Sequence, residues 1–179
     1  MRHEPGKEAL TLPIGQLLSR IHPDWIHRTR SSPSTRRYVA AICYRLRDGQ
    51  IEFLLVRTRA GRWTFPKGRV EDDRTRAAAA AREAYEEAGV LGRVDALPFA
   101  SYIHSKNPHV RGSRDESTVD AHLCEVRELH EPEESYRTPT WFSVEKSKRR
   151  LHQDRTPQYG LELARIVDHA TTRIRRRHR

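Results

Sequence analysis

The sequence predicts a mixed α/β or α+β domain, and three observations carry that prediction. Apolar segments with strand character occupy residues 38–44, 51–56, 100–104 and 118–126. An alanine-rich stretch over 75–88 and an apolar stripe beginning near Thr156 read as helices. Strand and helix signals do not alternate strictly, so spacing supports a mixed architecture without choosing between the two classes. A chain of 179 residues is long enough for one domain with a proper core, whereas two domains would each sit near the lower size limit.

The first 36 residues hold proline and serine breaks, including Ser31-Ser32-Pro33-Ser34, and one short apolar patch from Leu10 to Ile21. They read as an extension that partly drapes over the domain. From Tyr38 the pattern changes. Tyr38-Val39-Ala40-Ala41-Ile42-Cys43-Tyr44 is a strand, Asp48-Gly49 a hairpin turn and Ile51-Glu52-Phe53-Leu54-Leu55-Val56 the partner strand. Trp63-Thr64-Phe65 is a short strand leading into a polar loop. A helix follows from about Thr75 to Ala88, and Gly89 suits a left-handed helix end. Residues 100–104 and 118–126 form a strand pair joined by a polar loop, Lys106 to Glu116, that contains Pro108 and Gly112. Trp141-Phe142-Ser143 precedes a short helix near Val144 to Leu151. In the last helix Leu163, Val167, Ala170 and Ile174 recur at helical spacing and should dock on the sheet.

The formal net charge of +10 is unevenly placed. It divides into +4 over residues 1–37, −2 over 38–136 and +8 over 137–179. The run Arg173-Ile174-Arg175-Arg176-Arg177-His178-Arg179 is either a frayed, soluble helix end or a weak contact for nucleic acid or another polyanion, with strong salt dependence. The two cysteines, Cys43 and Cys124, lie in apolar strand segments, so buried thiols and a reducing cytoplasm are expected. No apolar run approaches the ~18 residues of a membrane span, and Met1-Arg2-His3-Glu4-Pro5 lacks the apolar stretch of a signal peptide. Secretion and membrane spanning are not expected.

The chemistry concentrates in the helix over 75–88. At 100° per residue, Glu83, Glu86 and Glu87 fall within roughly a 100° arc, while Ala77, Ala81, Ala84 and Ala88 form a neighbouring arc small enough to press against a sheet. Like charges so gathered destabilise a helix by a few tenths of a kcal/mol per pair unless a cation neutralises them. A hard divalent ion is the natural partner, because magnesium takes oxygen ligands from one or two carboxylates plus substrate phosphates. Arg82, four residues before Glu86, can hold that carboxylate in position. Glutamates at this spacing on an alanine-rich helix are also a common solvated face. Pro66-Lys67-Gly68 before them and Gly89-Val90 after them argue for a site instead.

This arrangement resembles the Nudix hydrolase family. The family box runs Gly, five residues, Glu, seven residues, Arg-Glu, an apolar residue, any residue, Glu-Glu, any residue, Gly, apolar. Gly68, Arg82-Glu83, Ala84, Glu86-Glu87, Gly89 and Val90 fall in register. Arg74 stands where the family has its first glutamate, with Asp72 and Asp73 beside it and Glu71 matching an acid common in the family's loop. The resemblance covers residues 37–152, leaving 1–36 as a basic N-terminal extension and 153–179 as a C-terminal helix and basic tail. It implies the Nudix fold, a curved mixed β-sheet between helices with the box as a loop-helix-loop unit.

The resemblance assigns Glu83, Glu86 and Glu87, with the Gly68 carbonyl, to magnesium, and manganese is the alternative ion. A site of bare carboxylates without thiolates favours these ions over zinc. In Nudix relatives the base that activates water is a box glutamate or a later acid, so Glu86 comes first, steadied by Arg82, and Glu116 and Glu133 are alternatives. Lys67, Arg57, Arg59 and Arg69 stand near the expected phosphate path as donors to phosphate oxygens, or are simple surface charge. Arg74 adds positive field or pairs with Glu71 or Asp72. Trp63, Tyr102 and Trp141 either clamp a base or seal the core.

Trp63 to Glu71 together with Trp141-Phe142-Ser143-Val144-Glu145 looks most like the branch acting on diphosphoinositol polyphosphates and diadenosine polyphosphates. The expected partner is therefore a small, phosphorylated, anionic substrate, met by a monomer or homodimer. Nucleoside triphosphates, ADP-ribose and RNA 5′-ends are served by the same box. Because Arg74 departs from it, a non-catalytic binder of phosphate ligands or nucleic acid is the alternative of a different class.

Overall fold

The computed structural model describes residues 37–105 and 116–179, so the expected extension over 1–36 and the loop over 106–115 lie outside the described residues. Strands β1 (Tyr38–Arg47), β2 (Gln50–Arg57), β3 (Trp63–Thr64) and β4 (Lys67–Arg69) precede helix α1 (Arg76–Ala88). Strands β5 (Val90–Val94), β6 (Ala100–Ser105), β7 (Glu116–Leu129) and β8 (Thr140–Ser143) follow, then helices α2 (Val144–His152) and α3 (Pro157–Arg177). The strands form one mixed, curved, open sheet covered by helices.

The β1–β2 hairpin is the one read from Asp48-Gly49. Both turn residues adopt positive φ, 50° and 73°, and the register runs from Tyr44 opposite Phe53 to Arg47 opposite Gln50. At the centre, β1 lies parallel to β7, from Tyr38 opposite Val119 to Tyr44 opposite Glu125. Residues 39–44 are fully buried, as an unbroken apolar run requires in a strand covered on both faces. Ala40, Ile42 and Tyr44 face one cluster with Phe53, Leu163 and Val167, whereas Val39, Ala41 and Cys43 face another with Ala80, Ala84 and Ala88. The sheet therefore sits between α3 on one side and α1 on the other. Leu163, Val167, Ala170 and Ile174 are all buried, so the expected α3 stripe docks. Cys43 and Cys124 are opposed in register, buried and free.

Three strands had no expectation attached, and one of them, β8, pairs antiparallel with β2 from Glu52 opposite Ser143 to Leu55 opposite Thr140. β4 pairs with the start of β1 through backbone groups alone, and its residues Lys67-Gly68-Arg69 carry no strand signal. β5 pairs with the end of β7 across a register shift between Leu91 and Gly92. The buried face of α1 also differs: Ala79, Ala80, Ala84 and Ala88 are buried, while Ala77 and Ala81 are only half-buried. The helix is rolled onto the Ala80-Ala84-Ala88 stripe, and this roll draws Glu87 inward.

Gly89 ends α1 with φ 65°, donating its N–H to Tyr85 O at 2.7 Å. A Cβ here would stand 1.9 Å from the His130 carbonyl oxygen, a backbone atom of the chain leaving β7. Gly89→Ala therefore combines left-handed strain with a main-chain clash and should lower unfolding free energy by roughly 2 kcal/mol. Urea denaturation reads this, and an unchanged midpoint would contradict the packing described.

Candidate active site

The loop after β3 is pinned to β1 at both ends: Ala41 N–H donates to Pro66 O at 2.9 Å and Val70 N–H to Arg37 O at 3.0 Å. Between these points Gly68 lies opposite Val39. Arg74 N–H then donates to Glu71 O at 3.2 Å, and Thr75 caps α1 by accepting from Ala78 N–H at 3.2 Å. The loop thus delivers α1 with Glu83 beside Gly68 and Glu87 beside the Lys67 backbone N–H.

The three glutamates have different surroundings. Glu87 is buried, accepts from the Lys67 backbone N–H at 3.1 Å and pairs with Arg137, whose side chain is 13% exposed. Glu86 is half-buried and receives the Arg82 guanidinium at 2.5 Å. Arg82 also reaches Glu71 at 2.8 Å, and Arg74 joins the same Glu71 carboxylate at 3.2 Å. Arg74 therefore pairs within the loop. Glu83 forms no ion pair among the described residues, and a Cβ on Gly68 would fall 1.9 Å from its Oε1. Only glycine admits this carboxylate at that point of the loop. Burial, and then the charges of Glu87 and Glu86, push the Glu83 carboxyl up to about 7. Burial also raises Glu87, opposed by Arg137 and Lys67.

A cleft of about 420 Å³ opens beside this cluster, with Arg69, Glu71, Arg74, Arg82, Glu83 and Glu86 in its wall. Arg69 is exposed there, and Lys67 is half-buried on the other side of Gly68. Arg57 and Arg59 stand apart at the β2 end. Arg57 donates to Gly61 O at 2.7 Å and lies 4.3 Å over the Trp63 ring, and Arg59 lies 4.5 Å over Tyr136. Trp63 is buried edge-on against Phe142 at 4.9 Å, Tyr102 is buried, and Trp141 is half-buried under Arg45 at 4.1 Å. Glu133 is exposed, and the Glu116 side chain lies outside the described residues.

Sequence reasoning missed Arg137 and Glu134. Both sit in the turn after β7, where Glu134 N–H donates to Glu86 O at 3.1 Å and Arg137 Nε meets the Glu134 carboxylate at 2.5 Å. The acid-rich run Glu131-Pro132-Glu133-Glu134 ending in one arginine was the only local signal, and its partner Glu87 is 50 residues earlier.

Among the described residues no three His, Cys, Asp or Glu side chains converge closely enough to hold a metal ion, because Glu86 and Glu87 are drawn to arginines. The donor set nevertheless fits a hard divalent cation. Three carboxylates share one helical face, and Glu83, in no ion pair among the described residues, lies where a Cβ on Gly68 would stand.

The NUDIX domain family model matches residues 36–160. No curated protein sequence matches the chain. Among solved structures, one from Jonesia denitrificans, described as a possible asymmetric diadenosine tetraphosphate hydrolase, is 22% identical over 78% of this chain and 97% of its own, with a TM-score of 0.60. The NUDIX domain of Shewanella oneidensis NrtR complexed with ADP ribose is 14% identical over 86% and 98%, with a TM-score of 0.59. The C. elegans Ap4A hydrolase binary complex is 18% identical over 78% and 97%, with a TM-score of 0.57. At these identities the likeness is one of fold. No helix among the described residues is long and apolar enough to cross a membrane.

Proposed function

The chain belongs to the NUDIX domain family, a family of pyrophosphohydrolases, and from that membership we propose that it is a magnesium-dependent hydrolase cleaving a phosphoanhydride in a polyphosphorylated substrate. The observation that carries the reading is the α1 carboxylate set, Glu83, Glu86 and Glu87, on one helical face with Glu83 against Gly68. Magnesium, or manganese in its place, would neutralise the phosphate oxygens and lower the pKa of a bound water.

Glu83, Glu86, Glu87 and the Gly68 carbonyl would hold the ion in this reading, and Glu86 is first in line to accept a proton from water. Arg82 fixes the Glu86 carboxylate, and Glu71 fixes Arg82 from behind. Lys67 and Arg69 receive the phosphates of the substrate, with Arg57 and Arg59 as the outer cations. Dinucleoside polyphosphates and diphosphoinositol polyphosphates are favoured because their many negative charges suit these basic groups. The same fold occurs in proteins described as an Ap4A hydrolase and as an ADP-ribose complex, so both ligand classes belong in the test.

That test is anhydride cleavage of diadenosine tetraphosphate, a diphosphoinositol polyphosphate, a nucleoside triphosphate, 5′-triphosphorylated RNA and ADP-ribose, followed by chromatography of the phosphorylated products, each with magnesium and with EDTA. The expected result is turnover of at least one of the first two, abolished by EDTA and restored by magnesium or manganese. Binding without turnover of any member, with a steep salt dependence, would replace this reading by that of a non-catalytic binder.

A further inference from the structure

A guanidinium withdrawn from water is normally met by a carboxylate, because an uncompensated buried charge is costly. Arg155, in the connection between α2 and α3, departs from this. It is half-buried, and no carboxylate pairs with it among the described residues. Asp154 beside it is exposed and forms no ion pair with it. Three backbone carbonyls hold it instead: Leu151 O at 2.9 Å, Gln153 O at 3.4 Å and Trp63 O. They orient the group without neutralising it.

Two neighbours share this character in part. The Lys67 ammonium forms no ion pair among the described residues; the Glu87 carboxylate acts on it more strongly than Arg155 does, so its charge is only partly offset. The Tyr102 hydroxyl is buried, with the residue 2% exposed, and has no hydrogen-bond partner among the described residues. Tyr159 presents its ring 5.7 Å from the Arg155 guanidinium. Two cations outside any ion pair among the described residues and an idle hydroxyl leave a positive charge that Glu87 only partly offsets, so an anion is the fitting ligand.

Its position narrows the anion. Trp63 and Tyr102 belong to the core face shared with α3, whereas Glu83, Glu86 and Glu87 project from α1 on the opposite face. In β4, Gly68 abuts the Glu83 carboxylate, and Lys67 beside it feels the charges of both Glu83 and Arg155. A ligand touching both groups runs past β4 from one face to the other, which suits an extended phosphate chain better than a lone diphosphate.

We propose that Arg155 is a substrate-binding residue that, with Lys67, holds the phosphates of a polyphosphate chain lying beyond the bond cleaved beside α1. Its substrate side rests on the hydrolase reading above; its anion-binding side does not.

The probe is inorganic tripolyphosphate, titrated in EDTA into the full chain and followed by tryptophan fluorescence, since the Trp63 carbonyl is bonded to Arg155. Arg155→Gln is expected to weaken binding at least about tenfold, as loss of a charge-assisted phosphate contact does. Arg155→Lys, which keeps the charge, should recover most of the affinity. In turnover, Arg155→Gln should raise KM for diadenosine tetraphosphate by a similar factor, with kcat within about threefold and KM for ADP-ribose little changed. Tripolyphosphate affinity within about twofold of wild type, or an equal loss in both variants that tracks a fall in Tm, would overturn the assignment. An equal rise in KM for ADP-ribose would overturn the placing of Arg155 beyond the scissile diphosphate. If wild type hydrolyses no anhydride but binds tripolyphosphate through Arg155, the hydrolase reading fails and the anion site stands.

Discussion

Glu86→Gln is expected to lower turnover at least about 100-fold, some 2.7 kcal/mol of transition-state stabilisation, while leaving the fold almost untouched. The side chain keeps its shape and loses only its charge, so packing on α1 is preserved. What the fold loses is the Arg82–Glu86 ion pair, whose side chains are 40% and 27% exposed. A pair so accessible contributes under about 1 kcal/mol, and Arg82 retains Glu71 as a partner. The reaction loses more, because a neutral amide neither accepts a proton from water nor supports a divalent ion. Initial rates at saturating magnesium, beside thermal melts, separate these effects. Turnover within about threefold of wild type would remove Glu86 from the chemistry, whatever the melt shows.

Local patterns made much of this fold legible. The hairpin at Asp48-Gly49, the cap at Thr75, the stop at Gly89 and the α3 stripe each depend on residues within a turn or two of one another, so sequence spacing records them. Pairings across the chain left no such record. Nothing in residues 38–44 states that they run parallel to 119–125. β4 was invisible because its pairing uses backbone atoms of Lys67, Gly68 and Arg69, whose side chains lack strand character. That the helical glutamates share one face was readable from periodicity, but the inward roll of α1 that buries Glu87 was not, since it is decided by the sheet beneath. Arg137 and Arg155 escaped notice for the same reason: they reach Glu87 and Trp63 from 50 and 92 residues away.

That distance makes Arg137 the more telling residue for stability. Arg137→Met should lower unfolding free energy by about 3 kcal/mol near neutral pH, because it leaves the Glu87 carboxylate buried without its cation. Methionine replaces most of the apolar stem, so the loss is chiefly electrostatic. The pH dependence tests that. Glu87 is already raised above 4.5 by burial, and Arg137 is the larger of the charges opposing the rise. Without Arg137 the folded-state pKa climbs further while the unfolded value stays put. Folding then takes up a proton at any pH between the two, so the variant's stability falls as pH rises through that window. Its deficit against wild type is full above the raised folded pKa and shrinks as pH falls toward 4.5. A residual, pH-independent part reports the lost contacts with Glu134 and Tyr136. Glu87→Gln placed in the same background removes the buried charge and should recover most of the deficit at high pH. Saturating magnesium should also raise the melting temperature of Arg137→Met more than that of wild type, if Glu87 is a ligand. A urea-midpoint deficit that stays constant across the acid-to-neutral range would mean that the pair is not the source of the loss.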